Sequence, residues 1–227
     1  MNNTFTFISD SWRFFKSHLA ELASVTMPIL IPISIFFALI TYYFQDIQHI
    51  KYFAKIPYIL VLPLYQCVLI LFIASAISGE ALPKRQYYQL ALRLWIPLAG
   101  LYIITTAAFI TGLILLVIPA LIIMVRTSFS EFYCILHKKP PIEALKLSWK
   151  STREYQGIIF SGFIIIWLIT NIPFYVVKKL FSSMELWNPI SISLYHIAES
   201  FFSILLTIFY FRVFTLLPEK INSEIPN

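Results

Sequence analysis

The chain has 227 residues, of which 59% are hydrophobic and only 12% charged, and its mean hydropathy is +0.79. Soluble domains carry roughly 25% charged residues, so a soluble globular domain is excluded, and the long apolar blocks fit an integral membrane protein. The formal net charge of +6 calls for no nucleic acid; it is what anionic phospholipid headgroups of an inner leaflet would select.

The N-terminal stretch MNNTFTFISDSWRFFKSHL mixes charges with aromatic residues. It lacks the short apolar core and small-residue cleavage site of a signal peptide, so the first span is expected to act as the targeting signal. A helix crossing a hydrocarbon core of about 30 Å needs roughly 20 apolar residues. Six blocks meet that length: 23–44, 57–78, 94–117, 119–136, 157–177 and 189–215. The third and fourth are parted only by Ile118-Pro119. One straight helix through both would be about 60 Å long, so a tight hairpin at the proline is expected. Pro28, Pro32, Pro63 and Pro97 lie inside spans and imply kinks. The fold class is therefore all-α: a single-domain polytopic bundle of six transmembrane helices with interfacial amphipathic helices.

Lys and Arg set the orientation. One side holds Arg13, Lys16, Lys84, Arg85, Arg93, Lys138, Lys139, Lys146, Lys150, Arg153, Arg212 and Lys220; the other holds only Lys51, Lys55, Lys178 and Lys179. Both termini are thus expected in the cytoplasm, with Trp12, Trp95 and Trp149 near that interface.

A basic, aromatic stretch precedes each odd-numbered span: DSWRFFKSHLAEL (10–22), QYYQLALRLWIPL (86–98) and EALKLSWKSTREY (143–155). The pattern suggests three repeats of an interfacial helix plus a helical hairpin. In the third copy Pro140-Pro141 start a helix. Its stripe of Ile142, Leu145 and Trp149, flanked by Lys146 and Arg153, would lie against lipid headgroups. Lys150 is spaced to pair with Glu154.

Arg126, Glu131, His196 and Glu199 fall inside spans, where a charge costs several kcal/mol unless it is paired or reaches water. Counted inward from the outer side, Arg126, His196 and Glu199 lie about 10, 10 and 15 Å deep. Arg126 is therefore expected to meet Glu199, with His196 a turn away, while Glu131 needs a partner of its own. The plain reading is an ion pair tying two helices. The alternative is a polar site for a lipid headgroup or for proton-coupled movement.

Nucleophile, metal and phosphate-loop motifs such as HExxH, CxxC, GxSxG and GxxxxGK[ST] are missing. His18, His49, His137 and His196 are scattered, and Cys67 and Cys134 sit in apolar blocks as buried thiols. Ser128 and Ser130 read as hydroxyls bonding back to the helix. No enzyme, metal or cofactor is expected.

The stretch IPALIIMVRTSFSEFYCILHKKPPIEALKLSWKSTRE (118–154) resembles the central motif of the YciC family of bacterial inner-membrane proteins. That motif is shared with the membrane domain of some glycerophosphodiester phosphodiesterases. Pro119, Arg126, Pro141, Glu143, Ala144, Leu145, Ser148 and Trp149 match; Ala120 stands where glycine is usual, and His137-Lys138 where Glu-Gly is common. The resemblance implies an inner-membrane protein of unassigned activity and brings no catalytic residues. The expected function is a non-enzymatic structural or accessory factor in membrane or envelope maintenance; the alternative is a transporter or flippase of a lipid or amphipathic molecule.

Overall fold

The structure, a computed structural model, describes residues 4–44, 55–80 and 82–216. His49, Lys51 and Lys220, and the side chain of Lys55, lie outside what is described. The described residues are helical with no strand. In chain order they form α1 (Thr4–Ser17), α2 (Leu19–Tyr43), α3 (Lys55–Ser78), α4 (Lys84–Leu115), α5 (Val117–Thr127), α6 (Ser130–Leu136), α7 (Pro141–Ser151), α8 (Gln156–Ser183) and α9 (Pro189–Phe214). Six elements are long and apolar enough to cross a membrane: α2, α3, α4, the α5–α6 pair, α8 and α9. The protein is thus a six-span, all-helical bundle.

Two spans form its centre. In α9, Phe201, Ile204, Leu205, Ile208, Phe209 and Phe211 are buried, and α3 buries a run from Cys67 to Ile70. Around them stand α2, α4, α6 and α8. The outer faces carry Ile96, Ile103, Ile114 and Ile190, each more than 70% exposed. In water such a surface would drive association; against lipid tails it is matched. The start of α9 is set by Asn188, whose Oδ1 accepts from the backbone N–H groups of Ile190 and Ser191, both at 3.0 Å. The Ser191 hydroxyl oxygen accepts in return from the Asn188 N–H at 2.9 Å, closing a capping box.

Several expected boundaries shift, each for a local reason. The α4–α5 turn falls at Leu116, whose backbone is extended (φ −176°, ψ 161°), and Pro119 lies inside the first turn of α5. There a missing N–H leaves nothing unpaired, so the proline starts the fourth span instead of ending the third. The hairpin closes through Gly112: a Cβ at this position would stand 2.9 Å from the Ala120 backbone. The glycine that allows close approach is therefore on the α4 side of the turn, and Ala120 is fully buried against it.

The three basic stretches are not structurally equivalent. The first is divided between α1 and α2, which meet at His18, and the third lies in α7 and the turn that follows it; the second is continuous with its span in α4. At 32 residues, α4 is about 48 Å long, well beyond the hydrocarbon thickness. Helix α1 packs under α9 and α8, whereas α7 packs on α4, α5 and α6. In α7 the buried residues are Ala144, Ser148 and Ser151, while Ile142 and Trp149 face outward. A small-residue face, which permits close backbone approach, docks this helix. The Ile142–Trp149 stripe lies on its outer side, with Lys146 and Arg153 exposed. The helix ends at Ser151, and Lys139 just before it pairs with Glu143 in its first turn at 2.9 Å.

The turn from α6 into α7 uses Lys138 in the left-handed region (φ 52°), with the Lys139 N–H returning to the Tyr133 carbonyl at 3.2 Å. Glycine is the residue such a turn favours, which gives a physical reason for the Gly of the resembling pattern at this place.

Gly112→Ala is expected to lower thermal stability in detergent, by about 1–3 kcal/mol, because the Ala120 backbone cannot give way. Gly100→Ala, whose Cβ would meet Pro141 at an ordinary 3.8 Å, should raise stability by roughly 0.5–1 kcal/mol. Parallel melting curves of the two variants check both signs.

Candidate functional site: a broken span and its polar cavity

The fourth span is interrupted at Ser128–Phe129. Its sequence there, RTSFSE, is dense in hydroxyl side chains that compete for backbone partners. Thr127 Oγ1 donates to the Ile123 carbonyl at 2.9 Å, Ser128 Oγ to Val125 at 2.9 Å, and Ser130 Oγ to Thr127 at 2.6 Å. The expected back-bonding of Ser128 and Ser130 is therefore found. What opens the helix is Ser148 from α7. Its Oγ donates to the Arg126 carbonyl at 2.7 Å and accepts from the Phe129 N–H at 3.1 Å. A side chain inserted into the backbone ladder in this way is a known cause of helix breaks.

The four expected intramembrane charges do not form one cluster. Arg126 does not meet Glu199. Its guanidinium donates to the Trp149 carbonyl at 3.1 Å and lies over the Trp149 ring, 5.4 Å from the centroid. Among the described residues it has no acidic partner. The depth count set a level but not a neighbour: α5, which carries Arg126, packs on α4, α7 and α8, whereas Glu199 is on α9. His196 and Glu199 pair with each other along α9, Nδ1 to Oε2 at 3.4 Å, and His196 stands edge-on to Phe37 of α2 at 4.8 Å.

Glu131, in the first turn of α6, points the other way, into the bundle. Its Oε1 accepts from the Tyr102 hydroxyl of α4 at 2.8 Å. Around them is a cavity of about 290 Å³ lined also by Gln66 of α3 and by Ser203, Thr207 and Tyr210 of α9. Gln66 Oε1 is enclosed and has no hydrogen-bond partner among the described residues. A second cavity, of about 280 Å³, is lined by Tyr58, Thr170, Asn171, Glu199 and Ser200. The two share Ser203 and Leu206 as lining. On α9 the positions 199, 203, 207 and 210 fall on one face, and they span about 16 Å along the axis, roughly half the hydrocarbon core. The polar lining of both cavities consists of carboxylates, hydroxyls and amides, with no Lys, Arg or His among the described residues.

Sequence reasoning named Glu131 and Glu199 but missed Gln66, Tyr102 and Tyr210. Gln66 carried a usable signal, as an amide in the middle of an apolar span. The two tyrosines did not, since they read like any aromatic in this Tyr- and Phe-rich chain. No group of three metal-ligating side chains occurs among the described residues, and Cys67 and Cys134 are free, buried thiols.

Comparison with known proteins finds no matching family, no matching curated protein and no matching solved structure.

Ser148→Ala leaves the Phe129 N–H without its partner and the Arg126 carbonyl with only the long 3.4 Å bond from the Thr152 hydroxyl. The expected loss is about 1–3 kcal/mol, the cost of one orphaned group, read as a lowered unfolding midpoint in detergent. Ser183→Ala is the control, because that exposed hydroxyl bonds back to the Leu180 carbonyl of its own helix at 2.9 Å. It should cost under about 1 kcal/mol.

Proposed function

We propose that this integral membrane protein moves a small cation, the proton included, across the bilayer along the Glu131–Glu199 string. The observation that carries the reading is Glu131. It is a carboxylate inside a six-span bundle that accepts from one tyrosine hydroxyl, and among the described residues no basic side chain lines its cavity. A carboxylate in that setting is neutralised by a proton or a bound cation. Gln66 Oε1 and the surrounding hydroxyls add acceptors. A broken span beside a polar cavity is also how transporters place irregular backbone within a membrane. The plain structural role rested on an Arg126–Glu199 pair holding two spans together, and that pair is not formed. The reading involves no bond-making step, so it describes a carrier and not an enzyme.

The location we propose is a bacterial inner membrane with both termini in the cytoplasm. The Lys/Arg asymmetry between the two sets of loops supports this, as does the likeness of residues 118–154 to the YciC pattern.

The test uses purified protein in liposomes holding a pH-sensitive dye, challenged with sodium, potassium, ammonium and methylammonium gradients. Wild type is expected to give a proton flux dependent on one of these cations, and Glu131→Gln to reduce it at least tenfold with the fold retained. Flux in Glu131→Gln liposomes equal to wild type, or no flux above protein-free liposomes, removes the carrier reading and restores the accessory role.

A further inference from the structure

Three apolar grooves line the outer surface of the bundle. One runs between α1, α8 and α9, past Ile8, Trp12, Pro173 and Phe202; another lies between α8 and α9, past Phe181, Trp187 and Leu194. Neither has a charged residue in its lining. The third, of about 330 Å³, lies between α5 and α8 and differs in one respect. Ile118, Leu121, Ile122, Val125 and Phe160 form its walls, and Arg126 closes one end beside Gln156 and Gly157.

From Ile118 to Arg126 the groove follows eight residues of α5, about 12 Å of helix. Ile118 and Ile122 are 68% and 50% exposed, so these walls face whatever surrounds the bundle. Arg126 presents one donor to the Trp149 carbonyl and one ring face to the Trp149 indole. A guanidinium has five N–H donors, so most of them remain for another acceptor. Its backbone is fixed by the Ser148 hydroxyl. The guanidinium is thus held in place, cationic, and without an acidic partner among the described residues.

The surroundings have the same sign. Lys146 and Arg153 are exposed on α7 and on the turn that follows it, and the one acidic residue of that turn is Glu154. At Gly157 the first turn of α8 offers open space: a Cβ there would meet nothing within 4 Å.

We infer that the α5–α8 groove binds one anionic glycerophospholipid, with its phosphate on Arg126 and an acyl chain along Ile118, Ile122 and Phe160. An apolar trough ending in a fixed guanidinium matches a molecule with an apolar tail and an anionic head. Arginine suits a phosphate because its planar fork gives two parallel hydrogen bonds. The site is separate from the Glu131 string, which opens on the other side of the break, and it does not rest on the transport reading. It also gives Arg126 a partner of a kind the sequence does not contain.

The experiment is native mass spectrometry of delipidated, detergent-purified protein titrated with phosphatidylglycerol or phosphatidylcholine. Wild type is expected to prefer phosphatidylglycerol by about tenfold or more, because both lipids offer a phosphate but the choline ammonium of phosphatidylcholine cancels its charge. Arg126→Gln should bring its affinity down to that for phosphatidylcholine, and Arg126→Lys should recover part of the preference. Ile122→Trp fills the trough without touching the guanidinium and should weaken both lipids. Circular dichroism and monodisperse elution show which variants are folded; if Arg126→Gln is not, Ile122→Trp decides alone. Equal binding of the two lipids by wild type overturns the inference, as does a phosphatidylglycerol preference that survives Arg126→Gln. Unchanged lipid binding in folded Ile122→Trp overturns the groove as the place. Glu131→Gln should bind phosphatidylglycerol like wild type, which separates this site from the carrier reading.

Discussion

Within hydrocarbon, every backbone N–H and C=O needs a partner supplied by the protein itself, and the fourth span meets that requirement chiefly through Ser148, with Thr152 adding a longer bond to the Arg126 carbonyl at 3.4 Å. Where α5 ends and α6 begins, the Ser148 hydroxyl takes the place of the missing turn, binding the carbonyl of Arg126 and the N–H of Phe129. It can reach because α7 docks through Ala144, Ser148 and Ser151, side chains small enough to bring the two backbones together. The break, the docked helix and the groups on either side of the break are therefore one unit.

That unit sorts charge. Arg126 and Glu131 are five residues apart, which already turns them well away from each other on a helix, and the break fixes the separation. Arg126 is directed to α7 and the outer groove, where Trp149 holds it. Glu131 is directed to α4 and the bundle interior, where Tyr102 meets it. A cation at the lipid-facing surface and a carboxylate in an internal cavity suit opposite ligands, which is why a phosphate is assigned to one and a cation to the other.

Packing around the unit is aromatic. Phe129, Phe132 and Tyr133 place their rings within 5.1–5.6 Å of Phe211 or Phe214, joining α6 to the end of α9. Such contacts are directional as well as apolar, and they set α9 beside the cavity it lines. The polar face of α9, from Glu199 through Ser203 and Thr207 to Tyr210, is thereby turned to α3 and α4. Its hydroxyls would otherwise be unfavourable in a membrane core.

The sequence by itself determined the class of object. Apolar block length counts spans, because bilayer thickness sets helix length, and the observed span elements overlap all six expected blocks. It also identified the intramembrane charges, since their residue types alone mark them as costly, and it marked the 118–154 stretch in which Arg126, Ser148 and Trp149 come together. Only the tertiary structure decided which charge faces what. Arg126 and Glu199 lie at similar counted depths, but α5 packs on α4, α7 and α8. A break caused by a hydroxyl from another helix leaves no periodic signature in the chain, and neither do Tyr102 and Tyr210, which look like any other membrane aromatic until α4 and α9 bring them to Glu131. Depth along a helix is local and can be counted; the direction in which a side chain points depends on residues far away in sequence, and packing alone sets it.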